Sequence, residues 1–219
     1  MKNYLTELVF ILDKSGSMAG LETDTIGGFN AMLKKQQKAE GEANVTTVLF
    51  NHQYELLHDR ISVSGISPIS EKDYEVGGST ALLDAIGFTI QKIVNVQKRT
   101  SEEERAEKVL FVITTDGMEN ASREYTADKI KKMVQHQKLK FGWEFMFLGA
   151  NIDAISTAAR FGIAEDFAVD FHADSRGTQL NYEAVNEAVM NLRGGKKIDR
   201  SWKKSIERDN NRRSRNEVK

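Results

Sequence analysis

The chain of 219 residues contains no cysteine and a single proline, Pro68. Without thiols it can form neither a disulfide framework nor a zinc–thiolate site. No apolar run approaches the roughly 18 residues that a membrane helix needs. The apolar run near the N-terminus, Leu8 to Leu12, stops at Asp13 and is too short for a signal peptide. We therefore expect a cytoplasmic protein with no membrane partner.

Neither sign of charge dominates, because 31 Lys and Arg stand against 32 Asp and Glu. The distribution is uneven: residues 196–219 hold ten basic and four acidic residues, a net of +6, which leaves −7 for residues 1–195. We predict a domain over 1–195 and a basic, flexible tail over 196–219 that is disordered or folds on a partner. Its arginines alternate with acidic and amide residues and its only aromatic residue is Trp202, which argues against nucleic-acid binding.

Apolar runs of strand length alternate with helical patterns along residues 1–195. This alternation predicts an α/β three-layer sandwich, with a six-stranded, mostly parallel sheet and helices on both faces. Leu5 to Leu12 reads as the first strand and Val109 to Thr115 as a central one. The runs Val45 to Phe50 and Tyr54 to Ile61 are joined by only three residues, which indicates a hairpin and one antiparallel edge strand.

Three helices have candidate N-cap residues, whose side chains can accept from the first free backbone N–H groups. These are Thr126, Asp153 and Thr178. The last of them is predicted to begin the final helix of the domain, which runs to Arg193.

Oxygen-bearing side chains gather immediately after the first strand, at Asp13, Ser15 and Ser17. Gly16 between the serines permits a tight turn that lets both hydroxyls face the same way. A carboxylate with two hydroxyls is a hard-oxygen set, which suits Mg²⁺, Mn²⁺ or Ca²⁺ rather than a soft metal.

Two later segments are placed to complete this set. Thr80 opens a helix after Gly77–Gly78, and Asp116 directly follows the central strand. Ligands of open parallel sheets bind outside the carboxyl ends of the strands, so we expect these loops to converge there. Asp84, one turn after Thr80, is a weaker candidate that would accept hydrogen bonds around the site.

The pattern resembles the von Willebrand factor type A domain, in its integrin-I-like form with a metal-ion-dependent adhesion site. That family has Asp-x-Ser-x-Ser, then a Thr after a Gly-rich loop, then an Asp that usually lies in Thr-Asp-Gly. The chain has Asp13, Ser15, Ser17, Thr80 and Asp116 in this order and without departure. The resemblance covers most of the domain and implies a Rossmann-like fold.

The resemblance also implies a function. The two Ser hydroxyls and the Thr hydroxyl would contact the metal, and one or both Asp residues would act through water. The open metal position would take a Glu or Asp carboxylate of a partner protein, which is binding and not catalysis. We therefore expect a non-enzymatic adaptor or assembly module in a bacterial cytoplasm. An AAA+ ATPase or an operon-encoded protein is a partner by analogy alone.

Two other hypotheses stay open. Asp13 could be the nucleophile of a Mg²⁺-dependent hydrolase or phosphotransferase, since an Asp after a parallel strand can serve such chemistry. The metal could instead be only structural, in which case it would stabilise the fold without binding acidic ligands. Gly77 to Thr80 matches neither the P-loop nor the dinucleotide fingerprint, which argues against a nucleotide.

Overall fold

The computed structural model describes residues 5–217, and the side chains of residues 5–213. The strands in these residues are β1 Thr6–Asp13, β2 Ala43–Phe50, β3 Tyr54–Ser62, β4 Lys108–Thr115, β5 Glu144–Ala150 and β6 Ala168–Phe171. The α-helices in the same range are α1 Glu22–Gln37, α2 Leu82–Arg99, α3 Ala127–Phe141, α4 Ala154–Arg160, α5 Ser175–Arg193 and α6 Lys204–Glu217. Within residues 5–217, no helix combines the length and the apolar character needed to cross a membrane.

The strands form one sheet in the order β3-β2-β1-β4-β5-β6. Five strands are parallel, and β3 pairs antiparallel with β2 at one edge. The predicted six-stranded α/β sandwich with an antiparallel edge strand is therefore confirmed. Because β1 lies between β2 and β4 and is parallel to both, the carboxyl ends of these three strands lie side by side at the middle of one sheet edge.

The sheet is covered on both faces, which explains why β1 is buried along its whole length. Side chains of a strand alternate between faces. Leu8, Phe10 and Leu12 belong to the core under α1 and α5, whereas Val9 and Ile11 belong to the core under α2 and α3. The two apolar layers hold β1 rigidly, and Asp13 is its last residue.

Two predicted N-caps are confirmed, and the third is wrong. Thr126 accepts from the backbone N–H of α3, and Asp153 does so for α4. For α5 the cap is Asp174, whose Oδ1 accepts from Gly177 N at 2.8 Å. Thr178 lies inside the first turn. The helix begins three residues before Thr178, because Ser175, Arg176 and Gly177 also adopt helical structure. Asp174 therefore takes the capping position.

The predicted flexible tail differs from the structure, which places residues 200–217 in a 3-10 turn followed by α6. Ile198, Trp202 and Ile206 recur every four residues and are buried in the core under α5. The Trp202 indole N–H also donates to the Asp166 carbonyl oxygen at 2.8 Å. The sequence contains this apolar spacing, but the high charge of the segment led to the prediction of a flexible tail. The segment is part of the folded body.

Candidate metal centre

The candidate centre lies where β1 and β4 end. Leu12 pairs with Thr114 in the parallel register, so Asp13 at the end of β1 lies beside Thr115 at the end of β4. Asp13 and Asp116 are both almost completely buried, with exposed fractions of 1% and 2%. The sheet thus brings together two carboxylates that are 103 positions apart in the numbering of the chain.

Asp13 has both carboxylate oxygens engaged. Its Oδ1 accepts from Ser15 N at 2.7 Å, which closes the turn after β1. Its Oδ2 accepts from Thr115 Oγ1 at 2.5 Å, across to β4. Burial raises the pKa of the Asp13 carboxyl, although the hydrogen bonds from Thr115 and Ser15 act in the opposite direction. Asp13 is therefore fixed in place and costly to ionise.

Asp116 is joined to the two serines. Ser17 Oγ donates to Asp116 Oδ1 at 2.5 Å, and Ser15 Oγ lies 3.2 Å from Ser17 Oγ. Asp116 Oδ2 is buried and accepts no hydrogen bond in the described part of the chain. Burial raises the pKa of Asp116 as well. A bound divalent cation would offset the cost of ionising both carboxylates and would give Oδ2 a partner.

The three hydroxyls converge beside Gly117. A Cβ atom built on Gly117 would lie 2.9 Å from Ser17 Oγ, 3.2 Å from Thr80 Oγ1 and 3.8 Å from Ser15 Oγ. Only the absence of a side chain leaves this space open. Among residues 5–213, no three His, Cys, Asp or Glu side chains gather as a metal site. The donors here are two carboxylates with three hydroxyls, a set that fits a hard cation.

The Gly-rich loop is held against the first loop by backbone hydrogen bonds. Gly16 N donates to Gly78 O at 3.0 Å, and Gly77 N donates to Lys14 O at 2.9 Å. Gly78 has φ +79°, and a Cβ there would approach His52 Nδ1 to 2.3 Å. Glycine is needed at this position both for the backbone conformation and for the close packing. The loop therefore holds Thr80, two residues after Gly78, in a fixed position.

Asn120 positions Thr80, and the sequence analysis missed it. The Asn120 side-chain oxygen accepts from Thr80 N at 2.9 Å, and Asn120 N donates to Thr80 O at 3.0 Å. Tyr74, also missed, is buried below the site and donates its hydroxyl to the Asp13 carbonyl oxygen. No spacing rule identifies these residues, since each reaches the site through tertiary contacts. The sequence offered a weak indication for Asn120 alone, which lies in the polar run after Asp116.

Asp84 is not hydrogen-bonded to the five converging residues. Its carboxylate accepts from the backbone N–H groups of Arg123, Glu124 and Tyr125 at 2.8–2.9 Å. It therefore anchors the loop between β4 and α3 to the start of α2. The other five predicted residues, Asp13, Ser15, Ser17, Thr80 and Asp116, lie together around Gly117.

No protein-family model and no curated protein matches the sequence. Solved structures do match the fold. The von Willebrand factor domain of the type V pili tip protein Mfa5 from Porphyromonas gingivalis has a TM-score of 0.58 and 11% identity, over 84% of this chain and 94% of that one. Manganese-loaded TRAP protein of Plasmodium vivax has a TM-score of 0.56 and 16% identity, over 82% and 73%.

A third match is proximal thread matrix protein 1 of the mussel byssus, in a structure with a zinc-occupied MIDAS motif. Its TM-score is 0.56 at 14% identity, over 84% of this chain and 46% of that one, so the chain spans about half the length of the byssus protein. These neighbours are von Willebrand factor type A domains. At such identities the likeness establishes the fold, which is that of this class of domain.

Proposed function

We propose that the chain is a metal-dependent protein-binding module, which recognises an exposed Glu or Asp of a partner protein through a divalent cation. The observation that carries the proposal is the convergence of three hydroxyls and two buried carboxylates beside Gly117. The cation expected from these oxygen donors is Mg²⁺, with Mn²⁺ or Ca²⁺ as alternatives.

The residues have distinct proposed roles. Ser15, Ser17 and Thr80 would hold the cation through their hydroxyls, and Asp116 would add the carboxylate oxygen that lacks a partner. Asp13 would act by positioning, because its two oxygens already order the first loop and Thr115. When bound, the cation would supply an electrophilic centre for an anionic ligand. Three neutral hydroxyls and a single carboxylate would leave the cation with a net positive charge, so a carboxylate from outside would complete the site.

Two solved neighbours of the same fold hold a metal, which supports the proposal of a metal-binding module. Their structures are described as manganese-loaded and as having a zinc-occupied MIDAS motif, respectively. The carboxyl-end location of the site also agrees with the place where open parallel sheets bind ligands. The proposal of binding over nucleophilic catalysis by Asp13 is supported by the hydrogen bonds that both of its carboxylate oxygens accept.

The hydrolase or phosphotransferase hypothesis has no observation in its favour. A nucleophilic Asp needs an accessible oxygen, whereas Asp13 is 1% exposed and both of its oxygens accept hydrogen bonds. Turnover of a generic phosphate ester that is lost in Asp13→Ala would restore this hypothesis.

Thermal unfolding tests the metal dependence. We would compare the protein in EDTA with the protein in Mg²⁺, Mn²⁺ or Ca²⁺. Metal at 100 times its dissociation constant should add about 2.7 kcal/mol to the free energy of unfolding. Asp116→Ala should lose this increment, and Asp128→Ala, a change at an exposed Asp on α3, should keep it. An equal response of all three proteins would count against the site.

Recognition of an acidic group needs a second measurement. In the same thermal unfolding experiment, glutarate should raise the unfolding temperature in Mg²⁺ but not in EDTA. Neutral glutaramide should leave the unfolding temperature unchanged in both. Metal stabilisation without any glutarate effect would favour the purely structural role of the metal.

A further inference from the structure

A groove of about 590 Å³ opens beside the candidate metal centre. Ser79 and Asn120 line it, and both are tied to Thr80 of the centre. Ser79 precedes Thr80 in the chain, and the Asn120 side-chain oxygen accepts from Thr80 N at 2.9 Å. A cavity of about 150 Å³ is enough for benzene, so the groove has room for a peptide segment and not only for one carboxylate. A partner whose acidic residue reaches the cation can therefore place its neighbouring residues here.

Several polar groups of the groove are already engaged by the fold. The Asp84 carboxylate lines the groove, and its two oxygens accept from the backbone N–H groups of residues 123–125 at 2.8–2.9 Å. Ser122 Oγ donates to Glu119 Oε2 at 2.7 Å and accepts from Asp84 N at 3.0 Å. Ala121 N donates to Glu119 Oε1 at 2.9 Å. These groups hold the loop between β4 and α3 in place and are not available to a ligand.

The remaining side chains of the groove offer hydrogen-bond donors. Arg123 is exposed, and its guanidinium makes no hydrogen bond or ion pair with any of residues 5–213. Asn120 bonds Thr80 N through its oxygen, which leaves its Nδ2 donors available. Ser79 adds an exposed hydroxyl and His52 an exposed imidazole. Free donors beside occupied acceptors favour an anionic ligand, because hydrogen bonds to an ionised acceptor are the strong ones.

We infer that the groove binds a second acidic side chain of the partner, held by Arg123 with Asn120 and Ser79. The ligand of the module is then a short segment with two acidic residues, one at the cation and one at Arg123. This inference rests on the proposed function, since the first acidic residue needs the metal centre. Arg123 suits the second, because a guanidinium can bind a carboxylate through two parallel N–H···O bonds.

The selectivity must come from these local contacts. Residues 1–195 carry a net charge of −7, so attraction over long distances does not favour an acidic partner. At physiological ionic strength, charges further apart than about 8 Å are largely screened. Removal of the Arg123 charge should therefore affect the second acidic residue and leave the contact at the cation unchanged.

The test is an NMR titration of the full chain with acetylated, amidated peptides, whose charges lie on side chains alone. One series is Glu-(Gly)n-Glu with n from one to three, and the matched series is Glu-(Gly)n-Gln. Both series should bind in Mg²⁺ and not in EDTA. At one or more of the spacings, the peptide with two acids should bind at least threefold more tightly than its match. The side-chain N–H signals of Arg123 and Asn120 should shift with that peptide and not with its match.

Arg123→Gln locates the second contact. It should abolish the preference for two acids and leave the affinity for the Glu-(Gly)n-Gln peptides unchanged. The loop should keep its place, because Asp84 bonds the backbone N–H of residue 123 and not its side chain. Lys72→Gln removes an exposed positive charge outside the groove and should keep the preference. A preference that survives in Arg123→Gln would overturn the assignment.

The outcome is separable from the test of the proposed function. Binding of the two series with less than a threefold difference at every spacing, in Mg²⁺ and not in EDTA, would overturn this inference alone. Failure of both series to bind in Mg²⁺ would overturn the inference together with the proposed function.

Discussion

Gly117 controls the space between the three hydroxyl oxygens of the candidate centre. Every other residue of the set provides an oxygen, whereas this one provides room. The backbone around it is fixed, because Asp116 bonds to Ser17 and the preceding Thr115 bonds to Asp13. A single methyl group is therefore enough to test whether the space matters.

Gly117→Ala should weaken metal binding at least about tenfold, or about 1.4 kcal/mol. The new Cβ would stand 2.9 Å from Ser17 Oγ and 3.2 Å from Thr80 Oγ1, which forces the hydroxyls apart. Metal titration by calorimetry measures the effect. The control is Gly27→Ala in α1, where a Cβ meets no atom within 4 Å and helix propensity should improve stability by about 0.5–1 kcal/mol. Unchanged metal affinity in Gly117→Ala would contradict the arrangement.

Glu7 is buried as Asp13 and Asp116 are, and the pH dependence of stability should reveal its ionisation. It is fully buried in β1 and accepts from Arg60 Nε at 2.9 Å, yet burial still raises the pKa of its carboxyl. A raised pKa means that its contribution to stability is present at low pH and lost as the pH rises through the folded-state value. In urea unfolding, Glu7→Gln should therefore gain stability relative to the wild type from pH 4 towards pH 8. If the free energies of unfolding of the wild type and Glu7→Gln changed with pH in parallel, burial would not raise the pKa of Glu7.

At the scale of elements, α5 is anchored at its C-terminal end. The buried Arg193 guanidinium donates to Gln36 O at 2.6 Å, to Gln36 Oε1 at 2.8 Å and to Gly41 O at 2.8 Å. Lys108 Nζ also donates to the Leu192 carbonyl oxygen at 2.8 Å. These bonds tie the end of α5 to α1 and β4. Any sliding of α5 along the sheet would have to break them.

Arg193→Met should reduce the free energy of unfolding by about 1–3 kcal/mol, because several buried acceptors would lose their donor. Chemical denaturation measures the change. Arg160→Met, at an exposed position at the end of α4, should stay within about 0.5 kcal/mol of the wild type. If Arg193→Met lowered the free energy of unfolding no more than Arg160→Met, the stability of the protein would not depend on this anchor.

The C-terminal helix is a structural element and not an appendage. Trp202 is 5% exposed, and Lys203 Nζ donates to the carbonyl oxygens of Glu165 and Ala168 at 2.7 Å. Arg213 pairs with Asp174, the cap of α5, and with Asp209 on its own helix. Basic side chains of this segment thus bond to acceptors in residues 1–195. Composition alone suggested a separate tail because it does not show these contacts.

Trp202→Ala should destabilise the protein by about 3–5 kcal/mol, as expected for loss of a buried aromatic side chain. Urea unfolding followed by circular dichroism measures it. Leu139→Ala, at a side chain that is 89% exposed, is the matched control and should be nearly neutral. A cost below about 1 kcal/mol for Trp202→Ala would return this segment to the status of a flexible tail.

For the whole molecule, the sequence was most informative where local pattern and chemistry coincide. Strand ends predicted Asp13 and Asp116, because a carboxylate after a buried run is unusual and parallel strands share one edge. Asn120, Tyr74 and the Asp174 cap could not be predicted in the same way. Each depends on which of several polar residues the tertiary packing brings close, and single-sequence periodicity holds no such information.

The two edges of the sheet differ in chemistry. The carboxyl edge carries the oxygen cluster around Gly117, and the amino edge carries a cavity lined by apolar, amide and basic residues. The oxygen cluster is tested most directly by binding of Mn²⁺ to the wild-type protein, measured by electron paramagnetic resonance. We expect one bound Mn²⁺ per chain, lost in Asp116→Ala and retained in Asp128→Ala. No bound Mn²⁺ at millimolar concentration, or equal binding by Asp116→Ala, would contradict it.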